Sequence, residues 1–273
     1  MVLTNLLPIQ HQRPKTKGPR PFLTMPEVKV FPGPDHLAAE AASQLKRIAN
    51  ASLSENGRFN VVLSGGSTPK TLYSLLAEEP WRSSLPWNKT HFFWGDERHV
   101  PPTHNDSNFR MANEALLSKL AVPADNIHRI QSELTDPSVA AHEYEQELRN
   151  FFNLSANQPP RFDLVLLGIG TDGHTASLFP GTAGLRERER LCVANWVEQL
   201  STWRITLTLP VINNAANVLF LVSGAEKAAV VHSILGGDER ESYPAQLVRP
   251  SSGNLTWLLD QAAASQNPGI SHG

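Results

Sequence analysis

The chain has 273 residues, which is long enough to bury a sizeable core without disulfides or structural metals. Its 40% hydrophobic and 18% charged residues and its formal net charge of -2 give no global preference for nucleic acid or an anionic membrane. The single cysteine, Cys192, excludes an internal disulfide and a cysteine-based zinc cluster. No apolar run approaches the roughly 20 residues that a membrane-spanning helix needs.

The first 25 residues differ in composition from the rest of the chain. They are rich in proline and basic side chains, and residues 1–24 contain no Asp or Glu. We expect a disordered tail over 1–25, with an organelle-targeting peptide or an alternative start at Met25 as the other interpretations. A single α/β domain is predicted over 26–265, followed by a short tail over 266–273. A cytoplasmic location is expected.

From residue 28 onward, short apolar runs alternate with stretches of helical periodicity. Strands are predicted at 28–31, 59–63, 91–94, 127–130, 162–167, 204–209 and 218–222. Helices are predicted at 37–52, 69–79, 108–120, 139–152 and 225–235, and surface loops at 153–161 and 236–243. This alternation predicts a Rossmann-like, open and mainly parallel sheet with helices on both faces and right-handed crossovers.

A glycine turn follows the second predicted strand. Gly65 and Gly66 allow the backbone to approach a ligand closely, and Ser67 or Thr68 is positioned to cap the next helix. A helix N-terminus of this kind favours a phosphate or carboxylate. A plain strand-to-helix connection is an equal alternative, and the spacing of a Walker A loop is absent.

The third predicted strand ends in a cluster of charges. Arg98 offers a planar guanidinium that suits a phosphate, and Asp96 or Glu97 could orient a partner or bind a sugar hydroxyl. The alternative is a solvated turn with a local ion pair, and this is the preferred interpretation for His99 and His104.

The run from Gly168 to Gly181 follows a buried strand, which is where open α/β sheets place their chemistry. Its first six residues match G-x-G-x-x-G, but a proline and a glycine soon interrupt the helix that a dinucleotide fingerprint should open. The preferred interpretation makes His174 a general base and Asp172 the group that sets its orientation or charge. Gly173 lies between them, and a capped turn with an incidental histidine is the third possibility.

Two late cations complete the candidates. Arg204 begins an alternating strand, and Lys227 lies in the first turn of a predicted helix, where the helix dipole does not favour a cation. A bound anion beside Lys227 would explain its position. Surface solvation for Lys227 and an edge ion pair for Arg204 are the alternatives.

Four segments taken in order, residues 64–69, 94–98, 170–181 and 204–210, resemble the 6-phosphogluconolactonases of the glucosamine-6-phosphate isomerase/6-phosphogluconolactonase family. The resemblance extends roughly from residue 26 to 260. It implies hydrolysis of 6-phospho-D-glucono-1,5-lactone, the second step of the oxidative pentose phosphate pathway. It implies no essential metal or organic cofactor. The expected partner is a small sugar-phosphate lactone, with no nucleic acid or membrane, and the expected assembly is a monomer or small homo-oligomer.

The resemblance leaves other classes of function to be weighed. In the related glucosamine-6-phosphate deaminases a catalytic glutamate precedes the proline of the Asp-Gly-His segment, whereas here Phe179 precedes Pro180. This difference favours the lactonase. A deaminase-like or isomerase-like enzyme, with ribose-5-phosphate isomerase more distant, and a non-catalytic sugar-phosphate sensor are the alternatives.

Overall fold

The computed structural model describes residues 26–156, 158–236 and 243–267. The predicted tail at 1–25, residues 268–273 of the C-terminal tail and residues 237–242 of the predicted loop lie outside these ranges. The strands of the described chain are β1 (Glu27–Phe31), β2 (Phe59–Leu63), β3 (Thr90–Trp94), β4 (Asp96–Arg98), β5 (Ile127–His128), β6 (Leu164–Leu167), β7 (Cys192–Val197), β8 (Thr202–Leu207), β9 (Asn217–Val222) and β10 (Asn254–Asp260). The α-helices are α1 (Pro34–Asn56), α2 (Ser67–Leu76), α3 (Trp81–Ser84), α4 (Asn108–Ala115), α5 (Pro137–Phe152), α6 (Leu209–Ile212) and α7 (Ala228–Leu235).

Seven strands form one parallel sheet in the order β1-β10-β9-β6-β2-β3-β5. From β2 the chain moves outward to β3 and β5, then returns to β6 beside β2 and moves the other way through β9 to β10. The direction of winding therefore reverses between β2 and β6. Open α/β sheets bind ligands outside the carboxyl ends of the strands at such a reversal.

Helices cover both faces of this sheet, so the predicted fold class is confirmed. Phe93 of β3 packs against Phe151 and Phe152 of α5, with ring centroids 5.2 and 5.9 Å apart. The next residue, Trp94, points to the opposite face and packs against Phe109 of α4 at 5.4 Å. Helix α2 packs between α1 and α4, so these three helices share the second face.

Two buried tyrosines fix the strand ends that lead into the candidate site. The Tyr73 hydroxyl of α2 accepts from the Ser64 N–H at 3.0 Å and donates to the Ser64 carbonyl at 2.9 Å. The Tyr144 hydroxyl of α5 makes the same pair of bonds with Trp94, at 2.9 and 3.1 Å. Burial raises the pKa of both tyrosines, so both stay protonated and keep these bonds. The ends of β2 and β3 are therefore held from opposite faces.

A second, antiparallel sheet has the order β4-β8-β7 and was not anticipated as a unit. Gly95 joins it to the main sheet, because its N–H donates to the Leu63 carbonyl at 2.9 Å and its carbonyl accepts from the Leu207 N–H at 2.8 Å. Strand β8 ends two residues before the predicted bound because Pro210 lies in the first turn of α6. The small sheet therefore stands at the carboxyl edge of β3.

Three strands were not predicted, and the bounds of one further strand and two helices were wrong. The strands β4, β7 and β10 were not predicted, and the predicted strand at 127–130 is only two residues long. Strand β10 owes its burial to pairing with β1 and β9, including a stack of Trp257 on Phe220 at 3.9 Å, which sequence periodicity does not reveal. The predicted helices at 108–120 and 225–235 contain 3-10 turns at Leu117–Lys119 and Ala225–Lys227.

A histidine pair at the edge of the sheet makes stability depend on pH. His91 Nδ1 lies 3.0 Å from His128 Nε2, and His128 Nδ1 lies 2.8 Å from Glu147 Oε1. Burial, then the charges of His128 and Arg58, lower the pKa of His91 to about 4 from an ordinary value of 6.5. Below pH 6.5 the unfolded chain binds this proton more readily than the folded chain. The free energy of unfolding should therefore fall as the pH drops from about 6.5 towards 4.

This prediction is tested by urea unfolding at pH 7 and pH 5. His91→Gln should lose less stability than the wild type between the two pH values, because it removes the group with the lowered pKa. His142→Gln, an exposed histidine on α5, is the matched control and should follow the wild type. An equal loss of stability in His91→Gln and the wild type would show that other groups cause the acid sensitivity.

Candidate active site

Four loops meet at the carboxyl edge of the neighbouring strands β9, β6, β2 and β3. They carry every site residue predicted from the sequence except Arg204, which β8 brings to the same edge by pairing with β4. The predicted residues are Lys227 after β9, Asp172, Gly173 and His174 after β6, Gly65, Gly66, Ser67 and Thr68 after β2, and Asp96 and Arg98 after β3. The topology therefore brings the candidates into one region, on both sides of the point where the winding reverses.

The turn after β2 leads directly into α2. Gly66 is the N-cap residue, and Ser67 and Thr68 are already helical, so the predicted side-chain cap by either residue was wrong. No side chain caps this helix, which leaves N–H groups of its first turn available to an anion. Ser67 is exposed and Thr68 half-buried. Phosphate binding here stays a prediction, which the uncapped start of α2 supports.

Asp96 bonds to Asn108 and Ser177 between the loops of the site. A side chain at Gly65 would overlap the Asn108 amide, and that amide donates to the Asp96 carbonyl at 2.9 Å. The Asp96 carboxylate in turn accepts from the Ser177 hydroxyl at 2.6 Å. Asp96 is buried, so its observed role is to join the loops after β3 and β6 and to hold the Asn108 amide against Gly65. Contact between Asp96 and a substrate stays a prediction.

Glu97 stabilises the start of α4. Its carboxylate accepts from the backbone N–H groups of Arg98, Asn108 and Phe109 at 2.7–2.8 Å and from the Ser107 hydroxyl at 3.1 Å. Burial raises the pKa of Glu97 although these donors oppose the shift. With its acceptors engaged at the start of α4, Glu97 is unsuited to the sugar-hydroxyl role considered for it.

Arg98 and Arg204 form a pair of adjacent cations. They are directly opposite each other in the β4–β8 pairing. Arg98 donates to the Asp106 carbonyl at 2.8 Å, and Arg204 donates to the Trp203 carbonyl at 3.2 Å. Burial, and then the charge of Arg98, lower the pKa of Arg204. Within the described residues neither guanidinium has an ion pair with a carboxylate. Nearby carboxylates oppose the lowering of the Arg204 pKa, but none of them bonds to either guanidinium. Such a pair suits a doubly charged phosphate.

Lys227 lies apart from this pair. It ends the 3-10 turn Ala225–Lys227 and is half-buried. The strand before it, β9, is three places from β3 in the sheet, a spacing of about 14 Å. Lys227 therefore lies on the opposite side of the His174 loop from the Arg98–Arg204 pair. Its contact with phosphate stays a prediction.

Asp172 and His174 form a close pair in the turn after β6. His174 Nδ1 lies 2.6 Å from Asp172 Oδ1, and the same oxygen accepts from the His174 backbone N–H at 3.2 Å. Gly170 N–H donates to the His174 carbonyl at 2.9 Å, and buried Gly173, with φ of 74°, donates to the Gly170 carbonyl at 3.0 Å. These bonds close the turn on itself and fix the histidine backbone.

The pair leaves one nitrogen of the imidazole for chemistry. Because Asp172 accepts the Nδ1 proton, Nε2 is the basic nitrogen of the neutral ring. Phe179 stacks on one face of the ring at 4.0 Å. Partial burial favours a raised pKa for Asp172, but the charge and hydrogen bonds of His174, with a bond from Gln199, outweigh it and lower that pKa. Asp172 is therefore a carboxylate at neutral pH, as an orienting group must be.

The structure also contradicts the dinucleotide interpretation of this run. After β6 the chain forms the turn and an isolated bridge between Thr175 and Leu178. The next regular element is a 3-10 turn at Gly184–Arg186. No helix packs along the sheet from this glycine run, as a dinucleotide site requires.

Three polar residues at the site were missed in the sequence. Asn108 and Ser177 hold Asp96, and Gln199 Nε2 donates to Asp172 Oδ2 at 3.0 Å. Ser177 lies inside the recognised 170–181 segment, which could have signalled it. Gln199 lies in a turn next to β7, a strand that was not predicted, so no sequence signal pointed to it.

Gly170 provides a direct test of the pair's geometry. A methyl group at this position would overlap His174 Nδ1 and lie 2.6 Å from Asp172 Oδ1, although φ here is not in the left-handed region. We expect Gly170→Ala to lower kcat at least tenfold for the lactone hydrolysis that the family resemblance implies, because Asp172 and His174 must move apart. The melting temperature should change little. Steady-state kinetics and thermal unfolding give the two quantities.

Gly168→Ala is the matched control, because a methyl group there meets only the Leu221 carbonyl oxygen at 3.9 Å. It should keep wild-type kcat. If Gly170→Ala were as active as Gly168→Ala, the spacing of Asp172 and His174 would not matter for turnover.

Neither a metal cluster nor a membrane-spanning element is found in the described ranges. No group of three or more His, Cys, Asp and Glu side chains there could hold a metal ion. No helix in the same ranges combines the length and apolar character that crossing a bilayer demands.

The fold and site place the chain in a known class of α/β enzymes. Residues 32–257 match the family described as glucosamine-6-phosphate isomerases/6-phosphogluconolactonase, and the chain belongs to this family. It is 42% identical over 240 residues to a 6-phosphogluconolactonase of Nostoc sp., covering 88% of this chain and 97% of that protein. It is 46% identical over 218 residues to a 6-phosphogluconolactonase of Synechocystis sp., covering 80% and 88%.

A solved structure agrees with these relatives. The 6-phosphogluconolactonase from Trypanosoma brucei is 33% identical and superposes with a TM-score of 0.79, covering 89% of this chain and 99% of that one. The family resemblance predicted from the four sequence segments is therefore confirmed.

Proposed function

We propose that the protein hydrolyses 6-phospho-D-glucono-1,5-lactone to 6-phospho-D-gluconate, the second step of the oxidative pentose phosphate pathway. The observation that carries the proposal is the Asp172–His174 pair, 2.6 Å apart, with Nε2 as the basic nitrogen. The family and the names of its similar members support the choice of substrate.

The phosphate binds, in this proposal, between the Arg98–Arg204 pair and the first turn of α2. The paired guanidiniums lack a carboxylate partner among the described residues, and the N–H groups of Gly66, Ser67 and Thr68 belong to a helix start without a side-chain cap. Both features favour an anion. Lys227 is a third candidate from the opposite side of the His174 loop.

The reaction needs one base and one water molecule. His174 Nε2 accepts a proton from water as the water oxygen attacks the lactone carbonyl carbon, and a tetrahedral oxyanion forms. As the carbonyl re-forms, the bond from that carbon to the ring oxygen breaks, and the protonated Nε2 returns its proton to the departing oxygen. Asp172 keeps the ring oriented and stabilises its positive charge. The lactone is an activated ester, so the chain needs no covalent nucleophile.

Phe179 supports the lactonase over the deaminase alternative. Where the deaminase pattern has a catalytic glutamate, this chain has a buried phenyl ring stacked on His174. The phenyl ring cannot transfer a proton in a ring-opening step. It does cover one face of the imidazole, whereas the lone pair of Nε2 lies in the plane of the ring.

A comparison of substrates tests the proposal. The protein should release acid from freshly prepared 6-phosphogluconolactone faster than the spontaneous rate and release no ammonia from glucosamine-6-phosphate. Ammonia release would instead support the deaminase. Thermal stabilisation by sugar phosphates without turnover of either compound would support a sensor.

A further inference from the structure

We propose that Gln199 is a positioning residue whose amide holds the Asp172 carboxylate and, through it, the ring of His174. This inference rests on the proposed lactone hydrolysis. Gln199 Nε2 donates to Asp172 Oδ2 at 3.0 Å, whereas the other oxygen, Oδ1, accepts both bonds from His174. Both carboxylate oxygens are thus engaged, one by the base and one by Gln199.

The carboxylate requires this second bond because it is open to solvent. The Asp172 side chain is 36% exposed, and a carboxylate with one free oxygen can rotate or exchange its bond to the imidazole for water. Among the described residues, Gln199 is the only side chain outside the 168–181 turn that bonds to Asp172. It therefore fixes the orientation of a group that burial alone does not fix.

The β7–β8 hairpin holds Gln199 in place. Gln199 is the middle residue of the 3-10 turn Glu198–Leu200, and the Ser201 N–H closes this turn on the Glu198 carbonyl at 3.0 Å. Trp196 Nε1 donates to Glu198 Oε2 at 2.6 Å, and Trp196 packs edge-on against Trp203 directly across the hairpin. These contacts hold the backbone of the turn, and the exposed Gln199 side chain extends from it to Asp172.

The same hairpin joins the two halves of the site. Strand β8 continues from this turn to Arg204, which lies opposite Arg98. One end of the small sheet thus supports the catalytic pair, and a point five residues further on supplies a cation for the phosphate. In the described chain, the bond from Gln199 is the only hydrogen bond from the β7–β8 hairpin to Asp172.

The first test compares Gln199→Leu and Gln199→Glu with Leu200→Ala. Leucine cannot donate to Asp172, and glutamate places a second carboxylate beside it. We expect both variants to lower kcat about tenfold with KM within about twofold of the wild type, because Gln199 acts through Asp172 and not on substrate. Leu200, 49% exposed, is the neighbouring control and should leave both constants unchanged.

A second readout needs no substrate. ¹⁵N-histidine NMR at a pH where the ring is neutral, with His174→Asn used to assign the signal, reports which nitrogen carries the proton. The wild type should show the Nδ1–H form of His174, and both Gln199 variants a clear gain of the Nε2–H form. If the wild type failed to hydrolyse the lactone, the proposed function would fall, and this tautomer measurement alone would decide the role of Gln199.

Two results would overturn the inference. Wild-type kcat together with a wild-type tautomer in both variants would show that Asp172 needs no second partner. A raised KM with unchanged kcat would show that Gln199 contacts the substrate instead.

Discussion

His174→Ala should lower kcat for the lactone by roughly 10²–10⁴-fold, the usual contribution of a general base, with little change in KM. The change removes the nitrogen that, in the proposed mechanism, accepts the proton of water, and it leaves the Arg98–Arg204 pair in place. Steady-state hydrolysis, corrected for the spontaneous rate, separates the two constants.

His104→Ala is the matched control for this variant. His104 is an exposed histidine in the loop after β4, bonded to the Asp106 backbone N–H at 3.1 Å. It should keep wild-type kcat and KM. If the His174→Ala variant retained wild-type kcat, His174 would not be the general base.

Arg98→Ala and Arg204→Ala should each mainly raise KM for the phosphorylated lactone. Loss of a hydrogen bond to a charged group costs about 1.5–3 kcal/mol, which is roughly a 10- to 150-fold loss in kcat/KM. The structural reason is that both guanidiniums face the same region without a carboxylate partner among the described residues.

Unphosphorylated glucono-1,5-lactone provides the control for these arginines. Its slower hydrolysis should respond little to either substitution, because this compound has no phosphate for the arginines to bind. If both substrates lost the same factor, the arginines would support the loop structure or the oxyanion and not the phosphate. An unchanged KM for the phosphorylated lactone would place the phosphate elsewhere, with Lys227 as the next candidate.

The sequence was sufficient to predict six of the seven strands of the main sheet, all but β10, and the position of Asp172 and His174 at its carboxyl edge. The apolar runs at β2, β3, β6 and β9 are buried throughout or nearly so, which makes their signal strong. Because parallel strands end at one edge, the polar turns after these strands had to meet there. Local chemistry therefore located Asp172, His174 and Arg98.

The parts that were missed depend on contacts between distant segments. Strand β4 is three residues long and exists because it pairs with β8 more than 100 residues later. The same pairing sets Arg204 opposite Arg98, and the β7–β8 turn delivers Gln199 to Asp172. Glu97 looked like a ligand-binding acid, but its neighbours in space turn it towards the start of α4. Such roles follow from tertiary packing and not from spacing along the chain.

The most direct measurement is acid release from one freshly prepared batch of 6-phosphogluconolactone, divided between buffer, the wild-type protein and His174→Ala. The proposed function predicts a rate well above the buffer rate with the wild type and a rate close to buffer with the variant. Equal acceleration by both proteins would place the chemistry away from His174. No acceleration by the wild type would contradict lactone hydrolysis itself.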